Sequence, residues 1–337
     1  MDSTALIPVD IQTNRKWKWR DFVDGGNGFL YGIPYSARRV VQFSPQNKSI
    51  KEIGFNLGSG YAKYCNGIRA DNGSIYCLPN GAECFLKITP LKGGNAEIKD
   101  LKERKLPRSW ENSWYTGAYA NDGCIYYMPY NGSLILKLDT RNDDKLTIIG
   151  DDFGEDMYIN GRAVLGNDGC IYGASSKFAS IIKFNPIDRS ICIVGTGCKL
   201  ATKQKIDGGL IVAHDGNIYG VNYYGQIVKI DPSKNDFTLI GEKICDYGGA
   251  WGSPVLGGNK CIYFPPNNHD RVLKFNPNMT HVSLVGDCLK GDRAKWYGAT
   301  LSIHGFIYCI PCNDKNILQI DTRHVNEQVL GLLKIYR

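Results

Sequence analysis

Apolar and polar positions fall into short runs that turn residues interrupt every few positions, and the arrangement is clearest over residues 114–150. There Asp122-Gly123 leads into Cys124-Ile125-Tyr126-Tyr127-Met128, Asn131-Gly132 reverses the chain into Leu134-Ile135-Leu136-Lys137-Leu138, and Asn142-Asp143-Asp144 reverses it into Leu146-Thr147-Ile148-Ile149. With Gly117-Ala118-Tyr119-Ala120 in front, the stretch predicts four short antiparallel strands. The Tyr of its central Ile-Tyr pair recurs at Tyr31, Tyr76, Tyr126, Tyr172, Tyr219, Tyr263 and Tyr308, at spacings of 45, 50, 46, 47, 44 and 45. A near-constant period of this size marks a repeat architecture in which each unit buries its faces against the next.

Seven such units fill the chain, so the sequence predicts an all-β fold, a seven-bladed β-propeller of four-stranded antiparallel blades forming a single domain over 1–337. The blades are expected at about 17–54, 64–101, 114–150, 160–195, 207–241, 251–286 and 296–333. Third strands such as Ile181-Ile182-Lys183-Phe184 and Val272-Leu273-Lys274-Phe275 are apolar on both faces, as burial between two neighbouring blades requires. Helix is nearly absent, because apolar residues do not hold a three-four spacing beyond a turn or so. Residues 1–12 belong to no repeat, and Pro8 in Ala5-Leu6-Ile7-Pro8-Val9 suits an edge. They are expected to add an extra edge strand outside the last blade and close the ring. That blade's own fourth strand is expected at Gln328-Val329-Leu330-Gly331, and the longest connection at 101–113.

Composition bears on class and compartment. Hydrophobic residues at 43% and charged residues at 22% are globular values. The N-terminus has no apolar run behind a basic region, and no stretch approaches the roughly 20 apolar residues of a membrane span. A cytoplasmic protein with no membrane partner is the expectation. Among the 12 cysteines, Cys124, Cys170 and Cys261 hold equivalent positions in different blades. Such sites lie beyond the ~7 Å Cα limit of a disulfide, so free thiols in a reducing compartment are expected.

The candidate chemistry is sparse. Of five histidines, only His269 belongs to the rim formed by the long blade-to-blade loops, so no pair converges on a metal. The acidic loop Asp151-Asp152-Phe153-Gly154-Glu155-Asp156 lacks the spaced ligands of a calcium loop. Cys309-Ile310-Pro311-Cys312 has no second Cys pair to complete a zinc site. Innermost strands such as Ala163-Val164-Leu165-Gly166, Leu210-Ile211-Val212-Ala213 and Ala299-Thr300-Leu301-Ser302 carry no acid to point into the channel. No catalytic residue, metal or cofactor is therefore assigned. The repeated set Gln42, Lys87, Lys137, Lys183, Lys229, Lys274 and Gln319 reads as long stems covering apolar blade surface.

What stands out is charge interleaved with aromatic rings on the long-loop rim. Arg15, Lys16, Trp17, Lys18, Trp19 and Arg20, with Arg38 and Arg39, bring six cations and no acid to the entrance of blade 1. Trp114, Tyr115, Trp251, Trp296 and Tyr297 mark the entrances of blades 3, 6 and 7. Net charge of +7 permits an acidic partner without demanding one. These residues are the expected binding surface, with a protein partner first and an acidic surface or polyanion second; the oligomeric state is not read from the chain.

At Phe29-Leu30-Tyr31-Gly32-Ile33-Pro34-Tyr35-Ser36-Ala37-Arg38-Arg39-Val40 and Asp168-Gly169-Cys170-Ile171-Tyr172-Gly173 the repeat resembles tandem propeller repeats of uncharacterised algal and protist proteins. More distantly it is similar to kelch, NHL and streptogramin-lyase-like propellers. The resemblance spans nearly the whole chain and implies fold alone: the Gly-Gly pair and paired aromatics of kelch repeats are not kept, and the His and Glu set of the lyases has no match on the expected face. Two functions are compatible with it, a non-enzymatic binding or scaffold propeller and a lyase- or lactonase-like enzyme with its site at the channel mouth.

Overall fold

The computed structural model describes residues 2–11, 15–105, 113–149, 157–176, 180–195 and 205–323. Strand β1 (Thr4–Pro8) is followed by blade 1, strands β2–β5 (Trp19–Asp24, Leu30–Pro34, Val40–Phe43, Ile50–Ile53). Blade 2 is β6–β9 (Tyr64–Arg69, Ile75–Pro79, Cys84–Pro90, Ala96–Lys105), and blade 3 is β10–β13 (Trp114–Tyr119, Cys124–Pro129, Ile135–Asp139, Lys145–Ile149). Blade 4 is β14–β17 (Val164–Leu165, Ile171–Ser175, Ser180–Phe184, Ile191–Val194), and blade 5 is β18–β21 (Ile206–Val212, Ile218–Asn222, Ile227–Asp231, Asp236–Ile240). Blade 6 is β22–β25 (Val255–Leu256, Ile262–Phe264, Val272–Asn276, His281–Val285), and blade 7 holds β26–β28 (Trp296–Leu301, Phe306–Pro311, Asn316–Asp321). The chain is a seven-bladed β-propeller whose seven sheets each have four antiparallel strands.

The seventh sheet differs from the expectation. Its order is β1-β28-β27-β26, so the N-terminal strand is the fourth strand itself, with Ala5 opposite Gln319 and Ile7 opposite Ile317. It takes the place expected for residues 328–331, which lie outside the described residues. Strand β9 also runs on to Lys105, so the first part of the expected long connection at 101–113 continues the blade 2 ladder.

Two-sided burial supplies the core. Second strands are buried at every position in β3, β7, β11, β15 and β19. Seven apolar clusters form, and each joins one blade to the next, including Phe43, Tyr308 and Ile310 between blades 1 and 7. Closure thus buries what an isolated hairpin would leave in water.

Four tryptophans lock the blades from inside. The indole Nε1 of Trp19, Trp114, Trp251 and Trp296 donates to the carbonyl of the residue twenty positions on, at Arg39 (3.3 Å), Leu134 (2.7 Å), Arg271 (3.0 Å) and Asn316 (2.8 Å). Each ring is at most 3% exposed. A buried indole satisfies its single donor in this way while its apolar body fills the core.

The repeated Tyr is pinned at the opposite, short-turn rim. Its hydroxyl meets the side chain four residues earlier: Tyr126 donates to Asp122 at 2.7 Å, Tyr172 to Asp168 at 2.8 Å and Tyr219 to Asp215 at 2.7 Å. Where that residue is Asn, its amide donates to the phenol, as at Asn27, Asn72 and Asn259. The cross-strand Lys then ties to a carboxylate, and the expectation of a merely apolar stem is corrected. Lys137 binds Asp122 at 3.2 Å and Lys183 binds Asp168 at 2.9 Å. In blades 2 and 6 the turn offers only Asn, and the acid comes from elsewhere: Asp144 of blade 3 reaches Lys87 at 2.7 Å, and Asp2 reaches Lys274. In blade 1 Asn27 is matched by neutral Gln42, which donates to Tyr31 at 3.0 Å. In blades 2, 3, 4 and 6 a partly buried ammonium is supplied with a carboxylate, which offsets its desolvation, whereas Lys229 of blade 5 has no ion pair among the described residues.

Candidate binding site at the channel mouth

The inner strands approach closely at the long-loop rim. A Cβ on Gly252 would lie 2.2 Å from the Tyr297 carbonyl oxygen, one on Gly208 would lie 2.5 Å from the Gly252 carbonyl oxygen, and one on Gly298 would lie 2.5 Å from the Arg20 carbonyl oxygen. Glycine is needed there because backbone occupies the space of a side chain. Ladder pairing skips from Trp19 to Asp21 in β2 and from Trp114 to Thr116 in β10, so Arg20 and Tyr115 are bulged residues. Bulges of this kind re-aim side chains.

Arg20 is the centre of the site. Its guanidinium carbon lies 4.2 Å from the ring centroid of Tyr297, 5.0 Å from Tyr115, 5.3 Å from Tyr35 and 5.9 Å from Trp17. Three blades therefore supply the rings around one cation. Among the described residues Arg20 has no hydrogen bond or ion pair. The rings continue outward through Tyr35 to Tyr61 (5.1 Å) and through Tyr115 to Tyr130 and Tyr158 (5.3 Å each). Burial pushes the Tyr115 phenol well above its ordinary range, so it stays neutral beside the cation.

Three lysines flank this ring. Lys18, Lys63 and Lys295 each precede the aromatic residue that opens a blade, and all are buried. Burial holds Lys18 and Lys295 below the usual lysine range. Burial, and then the charges of Arg15 and Arg38, brings Lys63 down to about 8. The Nζ of Lys18 donates to the Asp314 carbonyl at 2.8 Å and that of Lys63 to the Gly60 carbonyl at 2.9 Å. Neither carbonyl neutralises the charge it receives.

The sequence-derived surface is thus divided. Trp17, Arg20, Tyr115 and Tyr297 converge, and Lys16 and Arg38 are exposed. Arg15 is tied to the Ser36 and Ser59 carbonyls, and Arg39 to the Gly54 carbonyl. Trp19, Trp114, Trp251 and Trp296 are corrected: they are core residues, and a partner meets none of their rings without unpacking a blade. Trp251 stacks on His269 at 4.7 Å. The acidic loop 151–156 lies outside the described residues. Tyr35 and Lys63 were missed, because their roles depend on blade packing and not on local pattern.

The expectation that the innermost strands carry no acid facing the channel is corrected at blade 1, where β2 holds Asp21. Asp21 in β2 is buried, accepts from the Phe22 amide at 3.0 Å and pairs with Arg162 of blade 4 at 2.9 Å. Burial raises its pKa, and Arg162 opposes the rise. Among the described residues, no group of three or more His, Cys, Asp and Glu side chains is placed to hold a metal ion.

No protein-family model and no curated protein matches the chain. Solved structures do share its architecture. A streptogramin B lyase superposes with a TM-score of 0.75 at 17% identity, covering 96% of this chain and 98% of that one. A catalytically inactive virginiamycin B lyase from Staphylococcus aureus with quinupristin gives 0.75 at 15% identity, covering 95% and 99%. An auxiliary nutrient binding protein from Bacteroides ovatus gives 0.58 at 12% identity, covering 96% and 77%. At these identities the likeness establishes the propeller fold alone.

Proposed function

We propose that the protein is a non-enzymatic binding propeller that takes an acidic segment of a protein partner at the long-loop mouth over blades 7, 1, 2 and 3. The reading rests on Arg20, a permanently charged guanidinium framed by four aromatic rings with no carboxylate among the described residues. A cation withdrawn from water is stabilised in part by ring faces and further by an incoming anion. Lys18, Lys63 and Lys295 add positive field, and exposed Lys16 and Arg38 extend it toward solvent. A reducing compartment such as the cytoplasm is part of the proposal.

The test is fluorescence anisotropy of an Asp- and Glu-rich peptide on the parent protein and on Arg20→Gln and Arg38→Glu/Arg39→Glu variants. Saturable, salt-sensitive binding that both variants weaken supports the reading. A peptide that fails to bind, or binds all three proteins equally, refutes it, and tighter binding of a single-stranded oligonucleotide would reassign the face to a polyanion.

The enzymatic alternative draws on the fold shared with the lyases, and His269 is its best candidate base. Its Nδ1 accepts from the Arg271 amide at 3.0 Å, and burial lowers its pKa. The neutral ring then carries its proton on Nε2, the tautomer that cannot accept a proton there. The binding reading is favoured because the four rings around Arg20 form the more complete site.

A further inference from the structure

A second cavity lies inside the channel, one layer deeper than Arg20. Its volume is about 390 Å³, and its lining starts at Asp21, Asn66 and Thr116 and reaches Arg69, Tyr119 and Val212 at the ends of the inner strands. No residue of the Arg20 layer lines it, so the cavity faces the short-turn rim and is separate from the mouth. This volume falls within the range of roughly 300–1,000 Å³ typical of small-molecule sites.

The wall has two chemistries. Ile68, Val164, Leu165, Ile211 and Val212 are only partly buried and give it an apolar side. At the inner end Arg162 donates from Nη2 to Asp21 at 2.9 Å, and this is the one side-chain bond it makes among the described residues. A guanidinium has five donors, so most of the fork remains available. The Asp21 carboxylate is already occupied by Arg162 and by the Phe22 and Gly67 amides. It therefore serves to hold Arg162 and not to receive a ligand. Arg69 adds a second cation without an ion pair among the described residues. The lining carries Arg69 and Arg162 against Asp21, an excess of one positive charge.

We propose that this lumen binds a small organic monocarboxylate, its head group on the free edge of Arg162 and its hydrocarbon or aromatic body against Ile68, Val164, Leu165, Ile211 and Val212. A single negative charge balances the lining, and a planar carboxylate matches the geometry of the guanidinium fork. A dianion or a cation has no matching charge there. An uncharged molecule of the same shape leaves the guanidinium donors unmet.

The experiment titrates the full chain with hexanoate, hexanol and hexylamine by calorimetry, and follows Ile, Leu and Val methyl resonances by NMR. Hexanoate is expected to saturate with shifts at Leu165, Val164 and Ile211, and hexanol and hexylamine to bind at least about tenfold more weakly. Arg162→Lys keeps a cation beside Asp21 but loses the fork, and should weaken hexanoate about tenfold. The Arg38→Glu/Arg39→Glu variant alters only the other rim and should bind hexanoate as the parent does, which separates this site from the mouth. Absence of saturable hexanoate binding, equal binding of hexanol, or methyl shifts confined to residues outside the lumen would overturn the proposal. The methyl shifts in the parent protein decide the matter even where Arg162→Lys fails to fold.

Discussion

The Tyr263 hydroxyl donates to Asp2 Oδ1 at 2.6 Å, across 261 positions of sequence. Asp2 precedes the strand that completes blade 7, yet its carboxylate enters blade 6, where it also meets Lys274. The N-terminus therefore fastens the ring twice, through the β1 ladder and through an ion pair in the neighbouring blade.

Asp2→Asn should accordingly destabilise the protein by about 2 kcal/mol, the range of a charged hydrogen bond removed from a partly buried partner. Denaturant unfolding of Asp2→Asn, Lys274→Gln and the double variant measures it. Additive losses in that cycle would show that the two side chains do not act on each other.

Trp296→Ala should cost about 3–5 kcal/mol, because it empties a packed interface between blades 6 and 7 and orphans the Asn316 carbonyl. Arg20→Gln should leave the melting temperature within a few degrees of the parent while weakening peptide binding. A reversed pattern, with Trp296→Ala folding normally and losing only the partner, would place the tryptophan at the binding surface.

Binding of an acidic peptide should fall by about threefold between pH 7 and pH 9, the effect of losing one nearby charge. Lys63 is cationic below its native value of about 8 and neutral above it, with Arg15 and Arg38 the cations that face it. Between that value and the ordinary lysine value of 10.5 the unfolded chain binds more protons, so the Lys63 contribution to stability rises with pH as binding declines. In Lys63→Arg the charge persists across the range, and a pH dependence identical to the parent's would remove Lys63 from the account.

Native-state alkylation should label Cys192 and Cys288 and spare the nine other cysteines among the described residues, which are buried. Cys288 should react more slowly than Cys192, since its thiol donates to Asp270 at 3.2 Å and that bond raises its pKa. Rapid labelling of Cys65 or Cys312 would mean that the mouth opens readily.

Seven blades, the strand order of the first six and the free state of the described thiols follow from local facts in the chain, while the closing strand of the seventh does not. A two-residue alternation, an Asn-Gly or Asp-Gly turn and a recurring Ile-Tyr pair act over a few positions, so they are legible without any tertiary knowledge. The clasp at the short-turn rim was partly legible too, since Asp or Asn stands four residues before six of the seven repeated tyrosines. What the sequence could not disclose is which distant residue meets which. Asp144 serves the blade before its own, Asp2 serves blade 6, Asp21 finds Arg162 across 141 positions, and Arg20 gathers rings from three blades. Ring closure sets those distances, and it turned four entrance tryptophans into core and left Arg20 without an anionic partner among the described residues. Periodicity states that a residue repeats; only packing states whether its side chain ends in a neighbour, in the channel or in water.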